Sequence, residues 1–241
     1  MIEVRHLRKS FGSIPAVRDI SLTAPDGHIT GLLGENGAGK TTTLALICGL
    51  IQGDEGSVRV GAENGTPSEC RRRVGALLDH KGLYDRLTAR ENVEYFGRLH
   101  GLAPATLSTR VDAVLRQLGL ERIADRRTAG FSQGERMKVA LGRAIVHSPA
   151  HVLLDEPTNG LDIPTARGLR DVLRRMRDQG TCIVFSSHVL DEVRALCDSV
   201  VIMSHGCVVA AGDAVAVCHQ AQRATFEEAF LALTGREEVA S

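Results

Sequence analysis

The chain has 241 residues, enough for one domain with a sizeable core and an inserted subdomain. Basic and acidic residues both number 29, so no net charge draws the protein to an anionic membrane, and we expect no nucleic-acid partner. Neither an apolar leader nor an apolar run long enough to span a bilayer is present, and the six cysteines lack CxxC spacing. These features predict a reduced, cytosolic protein that does not itself cross a membrane.

The first part of the chain predicts a small antiparallel β region. Apolar and polar residues alternate there in three short stretches, with apolar residues at Ile2, Val4, Ile20, Leu22, Val58 and Val60. Such alternation is typical of antiparallel strands that have one face against a core and the other in solvent.

Residues 34–41 have the sequence GENGAGKT and lie between a strand-like stretch at 28–33 and a helix-like stretch at 40–50. Strand, glycine-rich turn and helix are the setting of a phosphate-binding loop. Glycines at 34, 37 and 39 allow successive backbone N–H groups to turn inward, and the following helix adds its dipole at the same place. The plainer interpretation is a glycine turn that only begins a helix.

Each residue of this loop has an expected role toward a nucleotide. The anion nest would be formed by the N–H groups of Asn36, Gly37, Ala38 and Gly39. Lys40 would reach the β- and γ-phosphates, and the Thr41 hydroxyl would ligate Mg²⁺. Thr42 would lie near the α-phosphate.

The segment 88–147 predicts a mostly helical insertion. Thr88 to Glu91 (TARE) has the pattern of a capping box, and apolar residues follow it at helical spacing. Beyond this segment, aliphatic strands at 152–156, 182–187 and 200–203 alternate with amphipathic helices. This alternation favours a parallel sheet covered on both faces.

Two acids end the strand VLLDE, where a parallel sheet beside a phosphate loop commonly holds Mg²⁺. Asp155 is the candidate metal partner, through water. Glu156 projects differently and is the candidate to orient or deprotonate an attacking water. Alternatively, the two acids cap a following turn.

The sequence FSQGE at 131–135 begins a predicted helix. Ser132 and Glu135 have capping-box spacing, while Ser132 and Gly134 together leave the helix end open to a phosphate. The spacing alone does not choose between the cap and the phosphate site.

Together these motifs resemble the ATP-binding subunit of ABC transporters over essentially the whole chain. GENGAGKTT resembles the Walker A loop, VLLDEP the Walker B strand, and FSQGE stands where the family has LSGGQ. NGLD at 159–162 resembles the D-loop, and His188 in FSSH the switch histidine. The resemblance implies an α/β fold: a RecA-type P-loop NTPase core with a parallel sheet, an N-terminal antiparallel β subdomain and an inserted α-helical subdomain. It implies one domain over 1–241, with 1–87 and 148–241 forming the β subdomain and core, and 88–147 the helical subdomain.

The resemblance also implies ATP and Mg²⁺ as cofactors and assigns further roles. Lys40, Glu156 and His188 would form the catalytic group, Phe11 would stack on adenine, and Asp162 would face a second subunit. Ser132 and Gly134 would contact the nucleotide of that subunit. Asp79 stands where the family usually has a Mg²⁺-ligating glutamine, so it joins Thr41 and Asp155 as a candidate metal ligand.

Two copies would then sandwich two ATP molecules as a homodimer and drive an integral membrane permease subunit from the cytoplasmic face of the membrane. The stretches GLYDRLTARENVEYFGRLHGL and ATFEEAFLALTG resemble the sodium-extruding or drug-exporting subgroup. One alternative is a soluble ABC-type ATPase of translation or DNA repair, although such proteins usually carry two cassettes, coiled coils or zinc modules. Another is a regulatory nucleotide-binding module without catalysis, against which Glu156 and His188 argue.

Overall fold

The computed structural model describes residues 1–61, 72–78 and 82–235. Within them, one mixed sheet runs in the order β4-β1-β2-β9-β8-β3-β7-β6-β5. In chain order its strands are β1 (Ile2–Phe11), β2 (Ile14–Ala24), β3 (Ile29–Gly34), β4 (Glu55–Val60), β5 (Val74–Leu77), β6 (His151–Asp155), β7 (Cys182–Ser187), β8 (Ser199–Ser204) and β9 (Cys207–Gly212).

Helices cover the sheet. Those in the described residues are α1 (Lys40–Ile47), α2 (Ala89–Leu99), α3 (Pro104–Gln117), α4 (Gln133–Ile145), α5 (Ile163–Asp178), α6 (Leu190–Leu196), α7 (Ala214–Ala221) and α8 (Phe226–Thr234). None of these helices combines the length and the apolar character that a bilayer crossing requires.

The antiparallel strands predicted from the alternation of apolar and polar residues are present at one edge of the sheet. β1 pairs with β2 and with β4 in antiparallel register, and Ile2 lies opposite both Ala24 and Val60. Ile2 and Val4 are buried, whereas Glu3 between them and Arg5 after them are more exposed. The alternating side chains therefore separate one core face from one solvated face.

The other half of the sheet is parallel, as the sequence predicts. β8, β3, β7, β6 and β5 pair in parallel register, and every residue of β3 and β7 is buried. Helices on both faces explain why these strands are continuous apolar runs. Because parallel strands share a direction, the carboxyl ends of β3, β6 and β7 meet at one edge of the sheet.

The segment 88–147 is built from α2, α3, α4 and two short 3₁₀ turns. α2 begins with the predicted capping box: Thr88 Oγ1 accepts the Glu91 N–H at 3.1 Å, and a Glu91 carboxylate oxygen accepts the Thr88 N–H at 2.8 Å. The inner faces of these helices share one apolar cluster with β6 and β7, including Val93, Leu141 and Phe185. α4 is therefore packed firmly against the sheet.

A glycine on β5 provides a test of this packing. A Cβ at Gly75 would collide with the carbonyl oxygen of Ala144 on α4 and lie 2.8 Å from Pro149. We expect Gly75→Ala to lower the free energy of unfolding by about 1–3 kcal/mol in urea titrations, because the backbone contact has no flexible partner to move. At Gly168, on α5, a Cβ meets nothing within 4 Å. The control Gly168→Ala should leave stability unchanged or raise it by up to about 1 kcal/mol; equal stability of the two variants would contradict the packing.

Candidate active site

The loop between β3 and α1 has glycine where a side chain cannot fit. A Cβ at Gly34 would lie 2.5 Å from the Met203 carbonyl oxygen, and one at Gly39 would lie 2.6 Å from that of Ala16. Gly39 also has φ +98°, and Gly37 has φ +85° with open space around it. Backbone approach and left-handed geometry together explain the glycine spacing of this loop.

The N–H groups in the first turn of α1 lack the side-chain acceptor that those of α2, α4 and α8 have. Those three helices begin with capping boxes, whereas α1 begins at Gly39 with no side-chain cap and no acid in its first turn. A helix end of this kind suits a phosphate, which would take the place of the cap. The cradle at 34–42 therefore fits the nucleotide that the sequence predicts.

Lys40 lies inside this loop. Its side chain is only 5% exposed, and its Nζ donates to the carbonyl oxygens of Gly34 at 2.7 Å and Glu35 at 3.0 Å. The same Nζ is 3.4 Å from a carboxylate oxygen of Glu156. The ammonium thus lies between the phosphate loop and the end of β6.

Thr41 and Asp155 form an oxygen pair next to the loop. Thr41 Oγ1 donates to Asp155 Oδ2 at 2.6 Å, and Ser186 Oγ donates to the other carboxylate oxygen. No group of three His, Cys, Asp or Glu side chains suited to a metal occurs among the described residues. Mg²⁺ commonly takes one or two protein ligands together with phosphate oxygens and water, so this donor set fits Mg²⁺.

Glu156 and His188 are directly paired. His188 Nδ1 lies 3.0 Å from Glu156 Oε2. Glu156 has φ +43°, an uncommon backbone conformation for a residue with a side chain. Its N–H donates to both the carbonyl oxygen (3.2 Å) and the hydroxyl (3.0 Å) of Ser186, contacts that hold the turn. Such strain commonly marks functional positions.

The predicted signature segment lies at the start of α4. Ser132 Oγ accepts the Glu135 N–H at 3.3 Å and a Glu135 carboxylate oxygen accepts the Ser132 N–H at 2.8 Å, so the capping box is formed. Gly134 is tightly packed, because a Cβ there would lie 2.7 Å from Thr165 Cγ2. Contact with α5 is therefore a sufficient reason for a glycine at this position. An open helix end for a phosphate is a second, separate reason.

The D-loop segment contacts this same helix end. Gln133 Nε2 donates to the Asn159 carbonyl oxygen at 2.9 Å. Asp162 caps α5 by accepting the Thr165 N–H at 2.7 Å, a bond that lowers the pKa of the Asp162 carboxyl. Residues 132–134 and 159–165 thus form one contiguous surface.

These contacts join Lys40, Thr41, Asp155, Glu156 and His188 into one site. They do not join Phe11, Ser132 or Gly134 to it. Phe11 lies at the end of β1 and is 51% exposed, and Lys9 Nζ is 5.7 Å from its ring centroid. Asn36 is exposed and Thr42 half-buried in the loop. Asp79 lies outside the described residues.

Sequence reasoning missed the supporting residues of the site. Ser186 lies opposite Asp155 in the parallel pairing of β6 and β7, and the Gly206 N–H donates to the Ala38 carbonyl oxygen at 3.2 Å. Two serines at the end of the otherwise apolar strand CIVFSS were the available signal for Ser186. No local pattern indicates the contact of Gly206, which depends on the tertiary fold.

Comparison with known proteins agrees with the site. A family model described as "ABC transporter" matches residues 17–159, more than half of the chain. The ABC transporter ATP-binding protein NatA of Bacillus subtilis (strain 168) is 43% identical over 202 residues, which cover 83% of this chain and 82% of NatA. The linearmycin resistance ATP-binding protein LnrL of the same organism is 31% identical over 220 residues, covering 90% and 71% of the two chains.

A solved structure also matches over almost its full length. It is the ATP-binding subunit of an ABC transporter, with a TM-score of 0.88 and 29% identity, and the match covers 97% of this chain and 99% of that one. The predicted α/β fold with its P-loop core is confirmed by this likeness. The chain therefore belongs to the ABC transporter family and is one of its ATP-binding, ATP-hydrolysing subunits.

Proposed function

We propose that residues 34–42, Asp155, Glu156 and His188 form the site where this subunit hydrolyses MgATP. The main support for this proposal is that Lys40, Glu156 and His188, which lie far apart in the sequence, are in contact in the structure. Lys40 Nζ is 3.4 Å from one Glu156 carboxylate oxygen, and His188 Nδ1 is 3.0 Å from the other. A base held between a cation and an imidazole at the edge of a phosphate cradle is suited to phosphoryl transfer to water.

The site residues have distinct roles in this proposal. The N–H groups of 36–39 and the α1 terminus bind the phosphates, and Lys40 exchanges its carbonyl partners for phosphate oxygens. Thr41 and Asp155 would hold Mg²⁺, which would neutralise phosphate charge. Glu156 orients the attacking water and accepts its proton, while His188 keeps the Glu156 carboxylate aligned and contacts the γ-phosphate.

Ser132 and Gly134 serve the nucleotide of a second copy of this chain. Supporting this, Ser132 is exposed at a helix terminus, and its neighbour Gln133 contacts the D-loop segment. One continuous surface could therefore meet a partner's phosphate loop, as an isologous dimer requires. Phe11, exposed at the end of β1, stacks on the adenine.

The helical subdomain, proposed as 88–147, transmits closure of the dimer to a membrane permease subunit. Supporting this, exposed apolar side chains accumulate around α2 at Tyr84, Tyr95 and Leu99. Beside them a groove of about 510 Å³ lies between α2, α4 and β5. We propose an exporter of the sodium or drug type, at the cytoplasmic face of the membrane, because the stretches 82–102 and 224–235 resemble that subgroup and the relative LnrL is named for linearmycin resistance.

Glu156→Gln tests the assignment of the base. The amide keeps the shape but cannot accept the proton of water, so we expect kcat to fall on the order of 10²- to 10⁴-fold. ATP binding should persist, and an ATP-bound dimer should accumulate in size-exclusion chromatography. Lys40→Ala, by contrast, should lose ATP binding itself. Phosphate release by Glu156→Gln near the parental rate would rule out Glu156 as the base.

A Mg²⁺ titration of ATPase activity tests the metal ligands. We expect Asp155→Asn to raise the Mg²⁺ concentration for half-maximal activity on the order of tenfold or more, since a ligating carboxylate is lost. Asp79→Ala should shift it in the same direction. The control is Asp171→Asn, which removes an exposed carboxylate on α5 that bonds only Arg174 in the described contacts. An unchanged Mg²⁺ requirement in Asp79→Ala would remove Asp79 from the metal site.

A further inference from the structure

A carboxylate behind the Glu156–His188 pair connects the two chain segments that carry them. Glu192, in the first turn of α6, accepts a hydrogen bond from Thr158 Oγ1 at 2.7 Å and another from Ser187 Oγ at 2.8 Å. Both hydroxyls bond the same oxygen, Oε2. Ser187 is the last residue of β7, whereas Thr158 lies in the turn after β6, so the two donors come from different segments of the chain.

The two hydroxyl donors lie next to the proposed catalytic residues in the sequence. Thr158 lies two residues after Glu156, and Ser187 immediately precedes His188. Both residues are buried, Thr158 being 5% exposed and Ser187 2%. One oxygen of Glu192 therefore ties the turn that carries the proposed base to the strand end that carries the imidazole.

Ser187 continues the network. Its hydroxyl oxygen also accepts the Val189 N–H at 3.0 Å, so the backbone on both sides of His188 is tied to Glu192. On the other side, the Asn159 N–H donates to the Glu156 carbonyl oxygen at 3.1 Å and closes the turn. The left-handed backbone at Glu156 is strained and persists only where its surroundings hold it.

We infer that Glu192 is a positioning residue for ATP hydrolysis, which keeps Glu156 and His188 at hydrogen-bond distance through Thr158 and Ser187. It touches neither reacting group in the described contacts. Loss of its carboxylate leaves two buried hydroxyls without their acceptor, and both segments relax. Displacement of a catalytic group by about 1 Å costs on the order of 10²-fold in rate. The inference rests on the proposed roles of Glu156 and His188.

The experiment compares steady-state ATP hydrolysis of the full chain with Glu192→Ala, Glu192→Gln and the control Asp191→Ala. We expect Glu192→Ala to lower kcat roughly 10- to 100-fold with KM for ATP within about twofold of the parent. Glu192→Gln should recover most of the rate, because its amide oxygen can accept the same two hydroxyl hydrogens. Asp191→Ala, next to it on the exposed side of α6, should match the parent.

A double-mutant cycle separates positioning from general damage to the fold. Thr158→Val removes one donor and keeps the shape, so its loss in rate should be largely absent when Glu192 is already alanine. Multiplicative losses in the double variant, or a parental kcat in Glu192→Ala, would overturn the inference. If Glu156→Gln retains parental turnover instead, the proposed catalytic roles fail, whatever Glu192 does.

Discussion

The parallel register of β3, β7 and β6 is the constraint on which the site depends. It places Leu33 opposite Ser187 and Asp155 opposite Ser186. The phosphate loop, the acidic pair and the imidazole follow directly after these three strands. Because strand pairing decides their positions, residues more than a hundred apart in sequence meet within hydrogen-bond distance, as Thr41 and Asp155 do. The sheet therefore sets the positions of the site residues, and the segments at the strand ends supply the reactive side chains.

Around this edge, backbone packing and polar contacts support the reacting groups in different ways. Gly34 and Gly39 of the phosphate loop are required by the carbonyl groups of Met203 and Ala16, so the loop is shaped by neighbouring strands as well as by its own sequence. Glu156 is held by Ser186, and the segment after it by Glu192. The nucleotide cradle and the Glu156–His188 pair thus have different supporting contacts, although Lys40 Nζ lies 3.4 Å from Glu156 and links them.

Much of this could be predicted from the sequence, because strand and helix periods are local and the P-loop has fixed spacing. The capping boxes at Thr88 and Ser132 were also visible as local patterns and are present in the structure. The contacts of Ser186 and Glu192 could not be predicted, since they depend on which strands become neighbours. At Gly134 the motif suggests a phosphate contact, while the structure shows a close approach to α5, since a Cβ there would lie 2.7 Å from Thr165 Cγ2.

We propose that each ATP site is completed by Ser132 of a second copy of the chain. The most direct measurement mixes two variants, Glu156→Gln and Ser132→Asp, and follows ATP hydrolysis. Aspartate keeps the helix cap at 132 but repels phosphate, so each variant alone should be impaired. If sites form between chains, a mixed dimer contains one intact site, and an equal mixture should recover roughly a quarter of the parental rate. A mixture no more active than its two components would contradict the claim.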